Sequence, residues 1–138
     1  MAEVRSAIDV HRSPAAVFTA LTDPARLSRW LGDSVRFESR AGGRVAATEA
    51  GVTTTGHVLE VVPARRLLIA WDPAQPAAAD APPAFAPGSR LELTLAPDEG
   101  STHLSAIHWY LRAEAAPAAQ RDLDLRLGRL RALLEPAA

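Results

Sequence analysis

The chain has 138 residues, 48% of them apolar, a net charge of −1 and no cysteine. That length suits one domain spanning residues 1–138 with a core of its own, and the lack of cysteine excludes disulfides and thiolate metal sites. All fifteen basic residues are arginine, interspersed with sixteen acidic ones, and without clustered positive charge the chain is not built for nucleic acid or an anionic membrane surface.

No apolar run approaches the roughly 20 residues of a spanning helix. The first residues, MAEVRSAIDV, alternate instead of forming a signal-peptide core. A soluble, cytoplasmic protein is expected.

Val4, Ser6, Ile8 and Val10 alternate with Arg5, Ala7, Asp9 and His11, which predicts a first strand with one face inward. Ser13-Pro14 is a helix start, a hydroxyl cap followed by proline where no amide donor is needed. Asp23-Pro24 repeats the signal, and Gly32 is expected to close this second short helix, whose apolar side is Leu27, Trp30 and Leu31. Val35 and Phe37 mark a second strand, and Ala41-Gly42-Gly43-Arg44 turns into a third over Val45 to Glu49. Gly51 reverses the chain again.

Thr53 to Val62 is a fourth strand with apolar residues on both faces, so its orientation stays open. Arg66 to Trp71 follows, with Leu67, Ile69 and Trp71 on one side. Residues 73–88 hold five of the eleven prolines and read as a loop, with the stretch around Phe85 as a lid. Leu91, Leu93 and Leu95 define a sixth strand, Pro97-Asp98-Glu99-Gly100 a turn, and Ser101 to Tyr110 a seventh.

The last segment, Pro117 to Glu135, carries Leu123, Leu127, Leu130 and Leu134 at spacings of four, three and four, one apolar stripe on a long helix. Asp122 precedes Arg126 by four residues, the favourable order for a helical charge pair, and the helix's arginines are assigned to a solvated face. The order strand, two helices, six strands, long helix predicts an α+β fold in which an antiparallel meander curls around that helix.

Four stretches in order, VFTALTDPARLSRWLG, ESRAGGRV, GHVLEVVPARRLLIAW and SRLELTLAPDEGSTHLSAIH, resemble the SRPBCC superfamily, also called START/Bet v 1-like. Within it they resemble the branch named after the activator of the 90-kDa heat-shock protein ATPase. The resemblance implies a helix-grip fold: a seven-stranded sheet around a C-terminal helix, enclosing a hydrophobic cavity. The superfamily includes lipid and hormone carriers, aromatase/cyclases and regulatory modules. Members of the branch often carry Gly-Trp at the start of the last helix, where this chain has Asp122-Leu123. That departure removes an aromatic wall of the usual pocket.

His103 and His108 lie on one strand an odd number apart and so face opposite ways. His11 and His57 sit alone among apolar or threonine neighbours, and no histidine spacing matches a metal site. His108 shares a face with Leu104 and Ala106, which the resemblance turns inward, so it is either a bonded core histidine or a group that orients a ligand or moves a proton. Glu38 and Arg40 read as solvated neighbours of Arg36. No nucleophile elbow, phosphate loop or Ser-His-acid arrangement is present.

The expected function is therefore non-enzymatic binding of a small hydrophobic or aromatic molecule, with no cofactor and no metal. The expected lining is Trp30, Phe37, Trp71, Leu93, Leu104, His108, Leu123 and Leu127. A cyclase- or hydrolase-type enzyme using His108 is the alternative, and a protein-interaction or co-chaperone-like module with a protein partner is the third reading. A rigid empty apolar cavity of about 300 Å³ would cost on the order of 7 kcal/mol at roughly 24 cal/mol per Å³. Side chains, anchored water or a ligand must therefore fill the space.

Overall fold

The computed structural model describes residues 2–75 and 81–135. Along the chain come β1 (Ala2–Val10), α1 (Pro14–Thr22), α2 (Pro24–Trp30), β2 (Ser34–Phe37), β3 (Arg44–Glu49), β4 (Val52–Val62) and β5 (Arg66–Trp71). A 3₁₀ turn at Pro83–Phe85, β6 (Arg90–Asp98), β7 (Ser101–Leu111) and α3 (Ala116–Leu134) complete it. The seven strands form one curved antiparallel sheet in the order β1-β7-β6-β5-β4-β3-β2. Strands β2 to β7 are thus a meander, and β1 closes it from the far end of the sequence. The expected α+β helix-grip architecture is what the chain adopts.

Local chemistry explains most element ends. The Ser13 hydroxyl accepts from the Ala16 amide at 3.2 Å, with Pro14 in the first turn. Asp23 makes no such cap bond; its carboxylate takes the Arg26 guanidinium at 2.6 Å instead. The indole N–H of Trp30 donates to the Ala20 carbonyl at 2.9 Å and ties α2 to α1. Gly32 is not the left-handed stop expected of it, because α2 ends through Leu31 in helical geometry and Gly32 has no positive φ. Its smallness matters for another reason: a Cβ there would sit 3.2 Å from the Thr48 carbonyl of β3.

The two-faced pattern of β4 also has a cause. Thr54, Gly56 and Val58 face inward, and a register shift between Val58 and Glu60 then puts Val61 opposite the buried Leu67. The bulge moves the inward set from even to odd positions. Two-residue turns at Ala50-Gly51 and Glu99-Gly100, all four residues with positive φ, join β3 to β4 and β6 to β7.

The leucine stripe of α3 lies in the hollow of the sheet. Leu123, Leu127, Leu130 and Leu134 are buried together with Leu67, Ile69, Leu91, Leu93, Leu95 and Leu104 from the strands and Leu21 and Leu27 from the short helices. Each such side chain contributes roughly 1.5–3 kcal/mol of transfer free energy. Polar ties fix the helix along its length. Gln120 donates to the Arg5 carbonyl of β1 at 2.7 Å, Arg12 donates to the Leu134 carbonyl at 3.2 Å, and the His11 amide donates to Glu135 at 2.5 Å. No helix among the described residues is long and apolar enough to cross a membrane.

Candidate functional site

Between α3 and the sheet the chain leaves a void of about 10 Å³, at most the room for one water molecule. Of the residues expected to line a cavity, Trp30, Leu93, His108, Leu123 and Leu127 meet around it, joined by Leu31, Ala84, Leu91 and Arg126. Trp71 and Leu104 are buried but stand back from the void, and half-buried Phe37 borders a separate groove across β2 to β4. The space required by the fold is filled by side chains.

Phe85 supplies much of that filling. The stretch expected as a lid is in part outside the described residues, since positions 76–80 are not described, but Phe85 itself is fully buried. Its ring meets Trp71 edge-on, with centroids 5.0 Å apart, and the Arg126 guanidinium carbon lies 4.9 Å from its centroid. The Ala84 amide donates to Asp122 at 2.9 Å and holds the segment on α3. The indole N–H of Trp71 is buried with no partner among the described residues, next to an aromatic plug.

Arg126 corrects the expectation that the helix's arginines face solvent. Its side chain is only 2% exposed, and it donates to both Glu49 carboxylate oxygens at 2.9 and 2.7 Å, to Asp122 at 2.9 Å and to the Leu31 carbonyl. Burial works against its charge, but the hydrogen bonds and charges of Glu49 and Asp122 outweigh it and raise the guanidinium's pKa. One cation thus joins β3, α2 and α3 beneath Phe85. The Asp122–Arg126 pair was legible from its spacing; the partnership with Glu49, seventy-seven positions upstream, left no local signal.

His108 is buried and its pKa is pushed down to about 4, first by desolvation, with the Arg126 charge adding and the Asp122 charge opposing. It is neutral at pH 7. Its Nε2 lies 2.8 Å from Ser89 Oγ, and the single Ser89 hydroxyl proton goes to the Ala86 carbonyl at 2.5 Å. Ser89 must therefore accept from His108 Nε2–H, which fixes the tautomer and leaves Nδ1 as an acceptor without a hydrogen bond among the described residues. In this arrangement the imidazole cannot activate Ser89 as a nucleophile, because it is the donor.

The other histidines face outward and are less solitary than their sequence neighbours imply. His57 meets Asp72 at 3.0 Å, His103 meets Asp9 at 2.8 Å, and His11 meets Ser101 at 3.1 Å. Glu38 and Arg40 pair at 3.4 Å in solvent, and Glu38 also accepts the Arg44 amide at 2.8 Å. Among the described residues no three histidine, aspartate or glutamate side chains are grouped to hold a metal ion.

A curved seven-stranded sheet gripping a C-terminal helix, with its cleft between them, places the chain in the SRPBCC/Bet v 1-like class. Residues 11–135 match the family described as "Activator of Hsp90 ATPase homolog 1-like protein", and the chain belongs to that family. Among solved structures it is similar to protein MLL2253 from Mesorhizobium loti, at 23% identity and a TM-score of 0.83 over 99% of both chains. It is also similar to the Aha1 dimer from Colwellia psychrerythraea, at 17% identity and a TM-score of 0.81, over 99% of this chain and 98% of that one. A third is DynU16, a protein from the dynemicin biosynthetic locus, at 24% identity and a TM-score of 0.76, over 97% of this chain and 47% of that one. At these identities the likeness is one of fold. No curated protein sequence matches the chain.

Proposed function

We propose that the chain works as one binding domain that takes up a small, hydrophobic or aromatic molecule between the sheet and α3, without turnover. The observation that carries this reading is the position of Phe85: an aromatic ring from the chain's own loop sits against Trp71 and Arg126, with one amide–carboxylate bond from Ala84 to Asp122 holding it on α3. A flat ligand that replaced this ring would inherit both aromatic contacts. It would also meet the Trp71 indole N–H, which has no partner among the described residues, so a molecule carrying a hydroxyl or carbonyl is favoured over a pure hydrocarbon.

The test is a titration of the wild-type protein with palmitate, a sterol, 1-naphthol and a tricyclic aromatic polyketide, read by tryptophan fluorescence and native mass spectrometry. The polyketide is included because one structural relative comes from the dynemicin locus. One class is expected to bind, and Phe85→Ala and Phe85→Leu are each expected to bind it about tenfold tighter by removing the aromatic plug. No binding by wild type or either variant would overturn the reading. If a bound probe is converted to product and His108→Ala abolishes the conversion while keeping the affinity, the enzymatic alternative replaces it.

The filled cleft favours a second reading, in which the outer surface contacts a protein partner. The family's description makes an Hsp90-type ATPase the partner to try. Stimulation of that ATPase by the chain, with every small-molecule probe silent, would select this reading.

A further inference from the structure

We propose that the convex face of the sheet carries a second site, for a small organic oxyanion that also bears a hydroxyl, gripped by Arg36 and Arg44 and read by His57. The face is set by strand pairing. Arg36, Ala46 and Thr55 form one cross-strand row, and Arg44 and His57 form the next. These side chains point away from buried Val45 and Ala47. Together they border a groove of about 570 Å³, within the size range of small-molecule sites. Ala46, the smallest side chain in the row, gives it depth, and the taller side chains on either side form its walls.

The groove sets Arg36 and Arg44 against Glu38 and Asp72, and Glu38 feels the Arg44 charge, but the arginine donors stay free among the described residues. Both acidic residues are committed to the chain. Glu38 accepts the Arg44 amide at 2.8 Å and pairs with Arg40 at 3.4 Å, while Asp72 accepts from the Thr55 hydroxyl at 2.8 Å and from His57 Nδ1 at 3.0 Å. The Arg36 and Arg44 guanidiniums have no hydrogen bond or ion pair among the described residues. Two forked cations over one small floor suit a carboxylate or a phosphate ester.

His57 adds the second half of the recognition. Because Asp72 takes up Nδ1, Nε2 is the ring nitrogen left for a ligand, and a hydroxyl, which can both donate and accept, matches it. The wall behind it is fixed. The Gln75 side-chain amide accepts from the Thr55 amide at 2.7 Å and donates to the Thr55 and Asp72 carbonyls at 3.2 and 2.8 Å, extending the sheet beyond the end of β5. The sheet itself separates this groove from the cleft against α3, so either site can fail without the other.

The experiment is an amide chemical-shift titration of the full chain with four probes: 3-hydroxybutyrate, butyrate, glycerol 3-phosphate and propyl phosphate. Shifts at residues 36, 44, 46, 55 and 57 are expected, with each hydroxylated probe binding about fivefold tighter than its partner. Carboxylate and phosphate arms identify which oxyanion is preferred. Arg36→Ala and Arg44→Ala should each weaken binding about tenfold. Ala46→Leu should block it with every charge in place, and His57→Phe should abolish the hydroxyl preference alone. The proposal is overturned if no groove amide responds to any probe, if the double arginine variant binds like the parent, or if the hydroxylated and plain probes bind equally.

Discussion

Arg126 and His108 show how differently two buried basic side chains behave. Arg126 keeps its charge because Glu49 and Asp122 surround it, and removing one member of a buried charge group leaves the others uncompensated. Arg126→Met is therefore expected to destabilise the fold by about 3–5 kcal/mol, measured by urea unfolding. Changing Glu49 to Gln and Asp122 to Asn in the same chain should recover part of that loss. His108 resolves the same conflict by staying neutral. Its pKa is near 6.5 in the unfolded chain and about 4 in the fold, so between those values the unfolded state holds more protons. Stability from this residue is complete above pH 6.5 and falls as the pH drops toward 4, by about 3 kcal/mol in all. Unfolding curves at pH 7 and pH 4.5 should show the loss, and His108→Gln should remove that part of the slope.

At the scale of elements, the long helix and the strands with one inward face were readable because burial imposes a period. Leu123 through Leu134 repeat with the helical turn, and Leu91, Leu93 and Leu95 alternate with polar residues. What could not be read was whatever depended on a distant partner. Arg126 lies among helix arginines that do face water, and only the fold brings Glu49 to it. The orientation of β4 hung on a bulge that no residue near Val58 announces. Phe85 sits in a proline-rich loop, where composition points to exposure, yet it fills the cleft. Five of the eight residues expected to line the cleft meet there because alternation and helical period placed them on inward faces. The contribution of Ala84 and its tether to Asp122 came from tertiary structure alone.

Two substitutions test these elements. Leu127→Ala on the gripped face of α3 should cost about 2–5 kcal/mol. Gly56→Ala in β4 would place a Cβ 2.5 Å from the Ala70 carbonyl oxygen and 2.9 Å from the Trp71 ring, and should cost about 1–3 kcal/mol by overpacking. Thermal melting of both variants checks the pair.

The molecule as a whole is held by contacts between distant parts of the chain. β1 pairs with β7 from Val10 opposite Thr102 to Ala2 opposite Leu111, and α3 packs on β1 and α2. Such topology makes the search for native pairing slow, so refolding from urea is expected on the millisecond-to-second scale, as stopped-flow fluorescence of the three tryptophans would show.

The sheet order has a consequence for biosynthesis. β1 leaves the ribosome before the other six strands of this sheet and β7 after them. At about 5–20 residues per second, β1 waits roughly 5–20 s for β7, its one strand neighbour among the described residues. Through that interval the nascent polypeptide carries an unpaired β-edge with Val4, Ile8 and Val10 uncovered. It is then most open to capture by a holding chaperone or by another unfinished chain.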